Sequence, residues 1–177
     1  GIEKGVFPTG ASYKKLEEVI RKNAKKANIT PREYTANIWT GYRNLAQTKG
    51  EVLLGPFAGM RLLRNNSWVG DGDIAPKILG FYEEELSDEI KRVSRGGYDT
   101  VVNVGAAEGY YAVGMARLMR DAKVWAFDID EEAQRICREA GELNGVMQQL
   151  SVAGLCTPES LSRILRGAIR PYVVMDI

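Results

Sequence analysis

Val101-Val102-Asn103-Val104-Gly105-Ala106-Ala107-Glu108-Gly109-Tyr110-Tyr111-Ala112-Val113-Gly114-Met115-Ala116-Arg117-Leu118 is the stretch whose reading decides the fold. It opens on valines around one asparagine, a β-branched run of the kind that forms a short buried strand. Small and polar residues follow from Gly105 to Gly109, and the chain then returns to apolar residues over a helical length. A strand running through small residues into a helix opens a βα unit. Small residues at that junction let the backbone approach a ligand closely, while the helix start offers N–H groups and a positive dipole end. The loop therefore suits a carboxylate or a phosphate.

Outward from this stretch the same grammar repeats. Strands are expected over Thr100–Val104, Lys123–Phe127, Leu150–Val152 and Tyr172–Ile177, and helices over Gly109–Arg120, Glu131–Leu143 and Pro158–Arg166. Such alternation predicts a parallel sheet covered on both faces, with ligands bound beyond the carboxyl ends of the strands. The loops after each strand are accordingly the places to look for function.

Towards the amino terminus the grammar differs. Leu16, Val19, Ile20, Ala24 and Ala27 recur at helical spacing within Tyr13–Ala27, and the Lys-rich remainder of that helix reads as a solvated face. Thr30-Pro31-Arg32-Glu33 reads as a capping box with proline in the first turn of a second helix, whose Tyr34, Ile38, Tyr42 and Leu45 share a face. Two short apolar runs, Val52–Leu54 and Met60–Leu63, flank Gly55–Gly59 and predict a hairpin. Asn65–Gly72, with its isolated Trp68, reads as a surface loop. Glu83–Arg95 predicts a helix with Leu86, Ile90 and Val93 on one face and Gly96-Gly97 as its stop. The chain thus divides into a helical and hairpin extension, 1–97, and an α/β unit, 98–177.

Composition narrows the chemistry. The 177 residues are 45% hydrophobic and 27% charged, an ordinary globular balance. Lys and Arg number 24 against 23 Asp and Glu, so the overall charge gives no reason to expect nucleic acid or an anionic membrane as partner. No apolar run reaches the ~18 residues that suggest a membrane span, and no signal-peptide pattern opens the chain. A cytoplasmic location is the resulting expectation. Cys137 and Cys156 lack the C-x-x-C spacing of a zinc or redox site, and no metal site is expected. Histidine is absent, which removes imidazole as base, activator or ligand. Any chemistry rests on carboxylates, Lys, Tyr or a cofactor.

A dinucleotide fingerprint would place a small residue where Tyr110 stands, so the G-x-A-x-G spacing of Gly105, Ala107 and Gly109 fits nicotinamide cofactors poorly. The loop instead resembles motif I of class I S-adenosylmethionine-dependent methyltransferases, and Val124-Trp125-Ala126-Phe127-Asp128 resembles the second strand of that family, whose terminal acid accepts hydrogen bonds from both ribose hydroxyls. From Gly80 to Ile177, including Tyr82-Glu83 and Tyr172-Val173-Val174-Met175-Asp176-Ile177, the chain is similar to FkbM-type methyltransferases. Asn103 stands where these enzymes usually carry an acid, and Ala107 replaces the middle glycine.

The resemblance implies a Rossmann-like parallel sheet, an incomplete class I methyltransferase fold ending after its fourth strand. It implies S-adenosylmethionine as cofactor. The implied contacts are Asn103, Gly105, Ala106, Ala107, Glu108, Gly109 and Tyr110 around the amino-acid end, with Glu83 facing the ammonium. Asp128 is implied at the ribose, with Ile129 a further cofactor contact beside it in sequence, and Gly154, Leu155 and Cys156 at the adenine. The implied reaction is O-methylation of a sugar or other small metabolite, with Asp176 as the catalytic carboxylate. The resemblance implies that the three further strands usual in this fold are missing and that the fourth strand is an open edge through which two copies could pair. Two other readings stand beside this one: a noncatalytic cofactor-binding or interaction module, and an NAD(P)-binding oxidoreductase domain that would share the Asp128 contact.

Overall fold

The computed structural model describes residues 21–22, 24–25, 30–34, 36, 50–63 and 74–175. Its centre is a four-stranded sheet of β1 (Thr100–Val104), β2 (Lys123–Phe127), β3 (Leu150–Ala153) and β4 (Pro171–Met175), in the order β3-β2-β1-β4 with every pair parallel. This order is that of the first half of a doubly wound sheet together with its fourth strand. The α/β expectation is met, and β1 and β2 occupy the residues foreseen for them.

Around the sheet lie α1 (Ile74–Leu79), α2 (Ser87–Ser94), α3 (Tyr110–Leu118), α4 (Glu131–Leu143) and α5 (Pro158–Arg166). Local chemistry explains the clean starts of α4 and α5. The Asp130 carboxylate accepts hydrogen bonds from the N–H groups of Glu132 and Ala133, at 2.8 and 3.0 Å. Thr157 Oγ1 accepts from Ser160 N–H, with Pro158 in the first turn. Upstream, the Thr30–Glu33 capping box is formed: Thr30 N–H donates to Glu33 Oε2 at 2.8 Å and Glu33 N–H to Thr30 Oγ1 at 3.2 Å.

The core lies between one face of the sheet and α3 and α4. Val101, Val124, Ala126 and Leu150 meet Val113, Met115, Cys137 and Ala140 there, and Val52, Phe57 and Met60 join the same cluster. The amino-terminal arm, taken as the described residues 50–63 and 74–97, therefore joins the core, so the change of grammar near residue 98 is not a gap in packing. Gly114 makes this possible, because a Cβ there would sit 2.5 Å from the Phe57 ring.

Three expectations need correction. The hairpin has no strands: a single antiparallel bridge joins Glu51 and Arg61, supported by Val52 N–H to Met60 O at 2.7 Å and Gly59 N–H to Val52 O at 2.8 Å, while the turn drives Phe57 inwards. The helix expected over Glu83–Arg95 cannot begin at Glu83, whose backbone is left-handed at φ 46°; a 3-10 turn over Glu84–Leu86 precedes α2, and Leu86 stays exposed. Helix α1 is an additional element, in a segment where the sequence shows no full helical period. The helix face expected at Ile38, Tyr42 and Leu45, the Trp68 loop and most of the first helix lie outside the described residues.

Candidate functional site

Strand register assembles the site. Val104 pairs with Phe127, and Phe127 with Ala153, so the loops beginning at Gly105, Asp128 and Gly154 emerge side by side at the carboxyl edge. Gly105 and Ala106 donate their N–H groups to the carbonyl of Phe127, both at 2.9 Å, and Asp128 N–H donates to Ala153 O at 3.1 Å. These bonds continue the sheet one step past its end and fix the two loops against each other.

Asp128 then closes the loop. Its Oδ2 accepts from Ala107 N–H at 2.7 Å and its Oδ1 from Asp130 N–H at 3.0 Å. To present that N–H, Ala107 adopts φ 47°, the left-handed conformation that its position in the G-x-A-x-G spacing would ordinarily give to glycine. Gly109, at φ 89°, turns the chain into α3, and a Cβ there would lie 2.6 Å from Cys137 Sγ. The first turn of α3 has no intrahelical acceptors for its N–H groups. Asp128 is half-buried, and a carboxylate has about four lone-pair positions, so both oxygens can accept further donors.

Asn103 is 2% exposed, and its Oδ1 has no hydrogen-bond partner among the described residues. A buried amide oxygen left unpaired costs about 1–3 kcal/mol. It lies on β1, two residues before Gly105, and is suited to accept a hydrogen bond from a bound group.

Beyond the loop, exposed Ile129 and Leu155 stand on the segments that follow β2 and β3, with half-buried Gly154 and Cys156 beside Leu155. Gln134 Nε2 donates to Asp128 O at 3.0 Å and steadies this rim.

Two loop side chains are engaged away from it. Glu108 is buried and forms an ion pair with Lys77 of α1. Tyr110 is buried in a cluster with Phe57 and Tyr82, edge to face at ring separations of 5.3 and 5.4 Å. Burial, and the charges of Glu108 and Glu83, raise the Tyr110 phenol well above its ordinary range. Burial, together with the hydrogen bond its hydroxyl donates to Glu83, raises the Tyr111 phenol too. Asp176 lies outside the described residues.

Lys77 and Phe57 are the neighbours that sequence reading did not single out. Lys77 carried one usable signal, a lone cation within the apolar run Ile74–Leu79. Phe57 carried none, since a phenylalanine between a proline and an alanine in a turn reads as solvent-facing.

Among the described residues no group of three or more His, Cys, Asp or Glu side chains could hold a metal ion, and no helix is long and apolar enough to cross a membrane. No protein-family model and no curated protein matches this chain. Solved structures do resemble it. An SAH-bound methyltransferase from Podospora anserina is similar over 90% of this chain and 56% of its own length, at 12% identity and a TM-score of 0.40. An O-methyltransferase family protein from Burkholderia thailandensis is similar over 70% of this chain and 37% of its own, at 11% identity and a TM-score of 0.36. A coclaurine N-methyltransferase bound to N-methylheliamine and SAH is similar over 80% of this chain and 43% of its own, at 16% identity and a TM-score of 0.36. The chain thus spans between about a third and just over half of each of these proteins. At these identities and scores the likenesses carry no argument of their own, and function is argued from the site.

Proposed function

We propose that the chain binds S-adenosylmethionine at the carboxyl edge of its sheet and belongs to a methyltransferase of FkbM-like type, acting on an oxygen of a sugar or other small metabolite. One observation carries the reading: Asp128, at the tip of β2, is bonded to the turn of the small-residue loop after β1 and still has acceptor capacity to spare. That pairing of loop and acid matches the motif resemblance, which needs both parts together.

The residues fit the group. Asp128 would accept from the ribose hydroxyls, and the exposed Ile129 and Leu155 would flank the adenine with Gly154 and Cys156. The first turn of α3 would receive the cofactor carboxylate, and the unpaired Oδ1 of Asn103 would accept from its ammonium. Glu83 is a second acceptor for that ammonium once its bond from Tyr111 is shared. When bound, the cofactor supplies a methyl group on a sulfonium, open to in-line displacement. The chain's part is to hold that end against the acceptor and exclude water. In this reading Asp176, the next residue in sequence after β4, takes the acceptor's proton.

Tyr110, bulky and buried where a dinucleotide fingerprint wants a small residue, argues against NAD(P). Thermal unfolding tests the choice of ligand. S-adenosylhomocysteine at about a hundred times its dissociation constant adds about 2.7 kcal/mol and raises Tm by about 5–10 °C, while NAD leaves it unchanged. A rise with NAD and none with S-adenosylhomocysteine would reverse the assignment.

A further inference from the structure

The Lys77–Glu108 pair has no part in the proposed cofactor contacts, yet Glu108 belongs to the same loop and Lys77 reaches it from α1. Glu108 precedes Gly109, the residue that caps α3, and its side chain and that of Lys77 are each 7% exposed. The ammonium also sits over the Tyr82 ring, 4.5 Å from its centre, and 5.6 Å from that of Tyr110. Lys77 is held in place from behind: Ile74 and Ile78, on the same short helix, pack against Leu62, and Leu53 N–H donates to Ile78 O at 2.7 Å.

A carboxylate buried at this depth is costly unless paired, and Lys77 is the partner. Its charge matters beyond stability, because the loop that carries it is the one proposed to receive the negative end of the cofactor's amino-acid part. An unpaired Glu108 that kept its charge would oppose that carboxylate across a protein interior that screens poorly.

We propose that Lys77 is a positioning residue for the amino-acid end of the cofactor: by neutralising Glu108 within the loop, the amino-terminal arm makes the start of α3 receptive to a carboxylate. The inference rests on the cofactor reading above and assigns that arm a role in affinity.

Titration calorimetry of the full chain with two ligands tests it: S-adenosylhomocysteine, and 5′-methylthioadenosine, which keeps the nucleoside and lacks the carboxylate. Lys77→Met binds S-adenosylhomocysteine about tenfold more weakly and 5′-methylthioadenosine within about twofold of the original chain. Lys77→Met combined with Glu108→Gln restores the first affinity. Equal weakening of both ligands, or no weakening of either, overturns the proposal, since a purely structural role would not separate them. Should Lys77→Met alone fail to fold, Lys77→Gln, which keeps a hydrogen-bond donor for Glu108 without the charge, takes its place. It is expected to weaken S-adenosylhomocysteine and spare 5′-methylthioadenosine in the same way, and equal effects on the two ligands overturn the proposal. An original chain that binds neither ligand removes the cofactor reading itself, and this inference with it.

Discussion

Ala107 shows how one residue records a compromise. Its left-handed backbone aims an N–H at Asp128 Oδ2, and an L side chain in that conformation costs roughly 1–2 kcal/mol. Glycine would remove the cost but lose more freedom on folding, so Ala107→Gly is expected to stabilise by about 0.5–1 kcal/mol, read as a higher urea midpoint at unchanged slope. The two cysteines give a second test at this scale. Burial pushes the Cys137 thiol up to about 12, with Glu108 adding to the shift, whereas Cys156 is half-buried on the site's rim. Iodoacetamide at pH 8 is expected to label Cys156 alone in the folded chain, and S-adenosylhomocysteine to slow that labelling. Mass spectrometry of the labelled peptides checks both. Asp128 and the glycine loop were legible in the sequence because spacing along one strand–turn–helix unit fixes them. The partners of Glu108 and Tyr110 were not, because Lys77, Tyr82 and Phe57 reach them from more than twenty residues upstream.

Among the elements, those with local signals at their ends were the readable ones. Asp130 caps α4 and Thr157-Pro158 opens α5, and both helices occupy the expected residues. Where tertiary contact decides, reading failed: the turn at Glu83 is held by Tyr111, and the arm around Phe57 is set by a core that the arm's own residues do not reveal. One acid anchors the entry to β4. The Asp99 carboxylate accepts from the N–H groups of Ile169 and Arg170, at 2.8 and 2.9 Å, and these bonds hold its pKa below the ordinary carboxylate range. A depressed folded pKa contributes stability that is complete above the unfolded value, near 3.8, and is lost as pH falls through the lower folded value. Asp99→Asn is therefore expected to lower stability at pH 7 and to flatten its decline below about pH 4. Urea midpoints across pH 2–7 would show it, and parallel curves for the two chains would count against the anchor.

At the scale of the whole molecule, the sheet supplies the site's frame and the arm supplies its back wall. Strand register alone brings the loops at Gly105, Asp128 and Gly154 to one edge, which is why the sequence could point to the site through its strands. The arm's contribution, through Phe57 and Lys77, became visible only when the chain was folded onto itself. The central claim is that this edge binds S-adenosylmethionine through the loop and Asp128. The most direct measurement is calorimetric titration of the folded, monodisperse chain with S-adenosylhomocysteine, beside Asp128→Ala. A saturable heat, with affinity lowered about tenfold to a hundredfold in the variant, is the predicted result, since hydrogen bonds to a charged acceptor contribute about 1.5–3 kcal/mol. No heat from the original chain, or equal affinity in the variant, would contradict it.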